Sequence, residues 1–110
     1  MPPGEEYVES VLSLVEQIPS GRVMSYGAIA DWVGSGGPRQ VGAVMAMYGG
    51  GVPWWRVVRA DGSLPDSHMG RAREAYLEEE TPLRGDLSDR PRVDMRHAFW
   101  SPNERRPDHA

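Results

Sequence analysis

Covalent chemistry has few carriers in this 110-residue chain, which contains no cysteine. Without a cysteine there is no disulfide, no thiolate metal ligand and no thiol nucleophile, and the composition fits a reducing compartment without requiring one. Ser63 and Ser67 could act as nucleophiles only beside a general base, and no histidine stands at a persuasive position for either. His68, His97 and His109 are too scattered to suggest a metal site, so surface or interface histidines are the expectation. No catalytic residue, metal or other cofactor is assigned from the sequence.

Binding chemistry is better represented. Arg39, Gly42, Ala43 and Ala46 recur at helical spacing, giving one helix face an arginine at its start and small residues after it. Small side chains let a helix backbone approach another surface closely, and a helix N-terminus beside an arginine favours an anion such as phosphate. The same face could instead pack on another helix of the chain. Tyr26 has a similar ambiguity, between a half-buried ring with a satisfied hydroxyl and a ligand contact. The run Trp54-Trp55-Arg56-Val57 is a further candidate. A tryptophan pair before a strand suits a core as well as a site, and Arg56 suits a structural hydrogen bond as well as a ligand.

These residues need elements to hold them. Val8, Val11, Leu12, Val15 and Ile18 predict a core-facing helix from about Glu5 to Ile18, ended by Ile18-Pro19-Ser20-Gly21. Ser25 is a suitable N-cap for a second helix to about Val33, with Ile29, Ala30 and Val33 inward and Gly34 to Gly37 as the breaker. A third helix starts near Pro38, buries Val41, Val44, Met45 and Tyr48, and stops at Gly49-Gly50-Gly51. A helix followed by two short helices across a glycine turn has the outline of a helix-turn-helix unit. Trp55 to Arg59 reads as a short strand, on which Trp55 would point away from Trp54 into the core, and Asp61-Gly62 as a tight turn. Arg71 to Glu80 predicts a helix whose acidic C-terminal end the macrodipole disfavours. Val93 to Met95 could add a stray strand. The fold class is mainly α with a small β element, a winged helix-turn-helix-like domain over residues 1–100, with a disordered tail over 101–110.

Net charge is −4, unevenly spread. Residues 1–19 hold four acids and no base, residues 20–73 six arginines against three acids, and residues 74–110 six arginines against nine acids. The segment carrying the candidate residues is therefore the positive one, at +3. Overall negative charge argues against a general polyanion binder, whose affinity comes from neutralising phosphates. The start of the chain lacks the basic and apolar stretches of a signal peptide or membrane span, so a cytoplasmic location is the expectation.

Three blocks, Ile18-Pro19-Ser20-Gly21-Arg22-Val23-Met24-Ser25-Tyr26-Gly27-Ala28-Ile29-Ala30, Arg39-Gln40-Val41-Gly42, and Val52-Pro53-Trp54-Trp55-Arg56-Val57-Val58 with Asp61-Gly62, now stand in order. Together they resemble the C-terminal domain of the O6-alkylguanine-DNA alkyltransferases, and more closely the alkyltransferase-like proteins, from about Tyr7 to Leu83. The family's asparagine hinge is replaced by a shortened glycine loop. In the enzymes the corresponding motif is Pro-Cys-His-Arg, with cysteine the alkyl acceptor and histidine its base through water. Here those positions are Trp54 and Trp55, and an indole can fill neither chemical role. The alkyltransferase-like proteins share the tryptophan at the first position but commonly keep the histidine, so Trp55 departs even from them.

The resemblance implies recognition of double-stranded DNA containing alkylated guanine, without enzymatic repair. The helix-turn-helix would lie in the minor groove, with Gly42 and Ala43 allowing close approach. Arg39 would insert into the base stack and Tyr26 would press on the backbone. Tyr26, Trp54, Arg56 and Val57 would bound or support a pocket for the flipped base, Trp54 offering π surface where the enzyme offers sulfur. The implied partners are nucleotide excision repair proteins, with no membrane and a monomeric chain. The alternative is a helix-turn-helix regulator or architectural DNA binder without lesion specificity.

Overall fold

Parallel pairing of two dipeptides organises the molecule. In a computed structural model, which describes residues 4–64, 69–85 and 92–102, strand β1 (Met24–Ser25) lies beside β2 (Val57–Val58), with Met24 opposite Val57 and Ser25 opposite Val58. Successive side chains on a strand face opposite ways. Met24 and Val57 accordingly enter one core, while Val23 and Val58 enter another. All four are at most 1% exposed.

The first core gathers helix α1 (Glu5–Gln17), α2 (Tyr26–Val33) and α3 (Pro38–Tyr48) around Val11, Val15, Ile18, Ile29, Val41 and Val44, and Trp100 closes it. The second collects Leu64, Ala72 and Tyr76 of helix α4 (Met69–Glu79), Val93 and Ala98, with Trp54 and Trp55 packed against it. Strands β3 (Leu83–Arg84) and β4 (Arg92–Val93) pair antiparallel, and the short helix α5 (Met95–Ala98) follows. Mainly helical structure around small sheets is the expected fold class. Among the described residues no helix is long and apolar enough to cross a membrane.

The local chemistry explains most boundaries. Ser25 caps α2 through its Oγ, which accepts from the Ala28 N–H at 3.0 Å. Pro38 occupies the first turn of α3, where its missing N–H costs nothing, and the Gln40 side chain accepts from the Gly37 N–H at 2.9 Å. Gly36 has φ of 71°, and a Cβ there would lie 2.6 Å from the Tyr7 hydroxyl, so only glycine lets the loop close onto α1.

Four expectations need correction. The Trp55–Arg59 strand is replaced by a 3-10 turn at Trp54–Arg56 followed by the two-residue β2, because β2 needs only its valines to divide the cores. Tyr48 is 45% exposed instead of buried, since α3 ends there and the chain turns away through Gly49–Gly51. The helix expected from Arg71 starts at Met69. Of the stray strand only Val93 is extended, in β4; Asp94 caps α5 by accepting from the Arg96 N–H, and Met95 begins that helix. Ser67, His68 and residues 103–110 of the expected tail lie outside the described residues.

Candidate nucleic-acid interface

The small-residue face of α3 is open. Val41 and Val44 are wholly buried against α1 and α2, while Arg39 and Ala46 are exposed and Gly42 and Ala43 partly so. A Cβ built on Gly42 would meet nothing within 4 Å. Packing of this face on another helix of the chain, the competing explanation for its small residues, therefore does not occur among the described residues. Arg39 stands in the first turn, on a helix start fixed by Pro38 and Gln40.

Tyr26 is the first residue of α2 and is half-buried. Burial raises its phenol above the ordinary value of 10.0, opposed by the nearby charge of Arg59. The hydroxyl is thus a neutral donor at physiological pH.

The Trp54–Arg56 turn is held by Glu79, the last residue of α4. Glu79 Oε1 accepts from the Gly21 N–H at 3.0 Å and from Arg56 Nε at 3.1 Å. Oε2 accepts from Trp55 Nε1 at 3.0 Å and from Arg56 Nη2 at 2.6 Å. Arg56 Nη1 donates to the Ile18 carbonyl at 2.8 Å, and Tyr76 donates its hydroxyl to the Trp55 carbonyl at 2.6 Å. Partial burial works against the Glu79 charge, but the bonds from Arg56, Gly21 and Trp55 outweigh it and hold the carboxyl below its ordinary value. Gly21 is required here: its φ is 84°, and a Cβ would come within 3.0 Å of the Glu79 carbonyl.

The fork geometry of Arg56 on a carboxylate, with side chains only 16% and 11% exposed, makes the turn a rigid support. Its position beside the Trp55 ring, 5.6 Å from the centroid, adds a cation–π contact. Trp54 and Trp55 meet edge to face at 5.6 Å and 85°, which fixes the Trp54 ring relative to the second core.

The candidate residues thus divide. Arg39, Gly42 and Ala43 share the open face of α3, and Tyr26 starts the helix before it. Trp54 is half-buried, packed against the second core but with some surface left to offer. Arg56 is engaged with Glu79 and Ile18, and Val57 is wholly buried in the first core, so both support the turn from behind instead of facing a ligand. Trp55 is half-buried against the second core, near its expected role, although on a turn and not a strand. Glu79 escaped the sequence reading, yet a signal existed. A glutamate at the C-terminal end of a helix is disfavoured by the dipole, and a nearby cation can offset that cost.

Comparison with known proteins shows the family. Residues 6–81 match the family model described as 6-O-methylguanine DNA methyltransferase, DNA binding domain. A DNA base-flipping protein of Escherichia coli K12 is 32% identical over 102 residues, covering 88% of this chain and 76% of that protein. One from Vibrio parahaemolyticus is 27% identical over 101 residues, covering 89% and 99%. The solved structure of S. pombe Atl1 in complex with damaged DNA containing O6-carboxymethylguanine superposes with a TM-score of 0.77 at 27% identity, covering 91% of this chain and 99% of that one. The chain belongs to the family of the 6-O-methylguanine DNA methyltransferase DNA-binding domain, and within it is similar to alkyltransferase-like proteins.

Proposed function

We propose that this protein recognises O6-alkylguanine in duplex DNA, turns the base out of the helix against Trp54, and holds it without removing the alkyl group. The observation that carries the proposal is the open face of α3, where Arg39 precedes Gly42, Ala43 and Ala46. A face left uncovered and stripped of bulk is suited to a narrow groove, and an arginine in its first turn can occupy the gap left by an extruded base. Tyr26 presses on the adjacent backbone. The complex of Atl1 with damaged DNA and the names of the base-flipping relatives support the same reading.

The energetics fit a sensor. Extruding a base costs a few kcal/mol, and less where alkylation has already weakened pairing. Contact of a base with one aromatic side chain returns about 1–3 kcal/mol. The two nearly cancel, so an unmodified guanine gains little by leaving the stack, and the surplus for a lesion comes from its weaker pairing. No thiol is available to accept the alkyl group, because the chain has no cysteine, and by the family resemblance Trp54 stands at the acceptor position.

The bound complex would act as a cytoplasmic mark for nucleotide excision repair, formed by a monomer with no cofactor. Titration of a duplex carrying O6-methylguanine and of the same duplex unmodified tests the reading. Tighter binding of the modified duplex, with the methyl group still on the DNA after incubation, is expected. Equal affinities would instead favour a regulator or architectural DNA binder, and loss of the methyl group would make the protein an enzyme.

A further inference from the structure

We propose that Arg59 contacts a DNA backbone phosphate beside Tyr26, a role that rests on the reading of this chain as a DNA binder. The parallel register sets the geometry. Ser25 lies opposite Val58, so the chain leaves the paired strands with Tyr26 and Arg59 side by side. Tyr26 there enters α2, while Arg59 enters the turn that runs through Asp61 and Gly62. That the two are neighbours also appears in the influence of the Arg59 charge on the Tyr26 phenol.

Arg59 is exposed, and among the described residues its guanidinium makes one long bond, from Nη1 to Ser63 Oγ at 3.4 Å. Arg56, three residues earlier, is engaged through all three guanidinium nitrogens by Glu79 and Ile18. Arg22 is likewise committed, through Nε to the Ala98 carbonyl at 3.0 Å. The carboxylate near Arg59 is Asp61, whose Oδ1 is directed to the Ser63 hydroxyl at 2.6 Å and N–H at 3.0 Å. Arg92 also acts on Asp61, so among the described residues two guanidinium groups stand against this one carboxylate. A cation with free donors beside a phenol that can donate suits a phosphate, which accepts from both and can take arginine bidentately. The uneven charge of the chain gains a purpose: in a protein of negative net charge, few phosphates are neutralised, and each such arginine matters.

The test is the salt dependence of binding to an unmodified duplex, compared for wild type, Arg59→Ala, Arg59→Gln and Arg59→Lys. Loss of one phosphate contact should lower the slope of log K against log salt by about 0.9 in R59A and R59Q. Affinity for modified and unmodified duplexes should fall by the same factor, about three- to tenfold, leaving their ratio unchanged. R59K should keep the slope. An unchanged slope in both neutral variants overturns the proposal, as does a loss confined to the modified duplex. The slope is read on unmodified DNA, so it is decided whether or not wild type prefers the lesion, which is the separate result that would defeat the lesion reading.

Discussion

The Trp55 indole and the Glu79 carboxylate meet across 3.0 Å, Nε1–H donating to Oε2. Trp55 stands where the resembling enzymes carry a histidine, and an indole cannot relay a proton. It can still donate one hydrogen bond, and that bond ties the tryptophan turn to the end of α4. With Arg56 on the same carboxylate, Glu79 fixes the turn that presents Trp54. Replacing Glu79 by alanine leaves a guanidinium and an indole N–H in partial burial without their acceptor. We expect E79A to lose about 2–3 kcal/mol of stability, less than a fully buried pair would because both side chains keep some exposure. Urea denaturation measures it, and a midpoint equal to wild type would show that the network adds nothing.

The same carboxylate gives a pH signature. Its folded pKa lies below the ordinary 4.5, so its stabilisation is fully present above that value and is lost as pH falls through the lower folded one. Glu79→Gln has no such titration. The stability gap between wild type and E79Q should therefore shrink as pH falls from about 5 to about 3. Asp61 and Asp94, also held below their ordinary range, titrate in both proteins and cancel in the comparison. A gap independent of pH would contradict the assignment.

Gly42 separates stability from function. A glycine inside a helix costs about 0.8–1.0 kcal/mol relative to alanine, and here a Cβ meets nothing. Gly42→Ala and Gly42→Leu should both match or exceed wild type in thermal stability, while G42L, by blocking close approach, weakens binding to every duplex. A G42L protein that melts earlier would mean the face is covered; one that binds DNA normally would remove α3 from the interface.

Arg39→Ala should weaken lesion binding by tenfold or more while the melting temperature stays within about 1–2 °C, because an exposed residue makes little contribution to the fold. Binding assays on the modified duplex, paired with thermal melts, check it. R39A binding as tightly as wild type would remove the inserted-arginine role.

Much of this was legible in residue order. Hydrophobic spacing located α1, α2 and α3, and Ser25, Pro38 and the glycine runs marked their ends, because those signals act within one or two turns of chain. The Trp54–Arg56 turn was not legible as such. Its conformation is set by Glu79 and Tyr76, more than twenty residues away in sequence, and local β propensity reads Trp-Arg-Val-Val as extended. The division into two cores was hidden for the same reason, since it depends on Val57 and Val58 pairing with Met24 and Ser25 across the helix-turn-helix. The open state of the α3 face could not be read from small residues alone, which serve helix packing and groove binding equally well.

The central claim rests on Trp54. Dissociation constants of wild type and Trp54→Ala, each measured in one buffer for a duplex with O6-methylguanine and for its unmodified twin, test it most directly. Wild type should favour the modified duplex by at least tenfold, about 1.4 kcal/mol, and W54A should bind both duplexes with the affinity wild type has for the unmodified one. Equal affinities in wild type, or a preference that survives in W54A, would contradict a lesion pocket built on this residue.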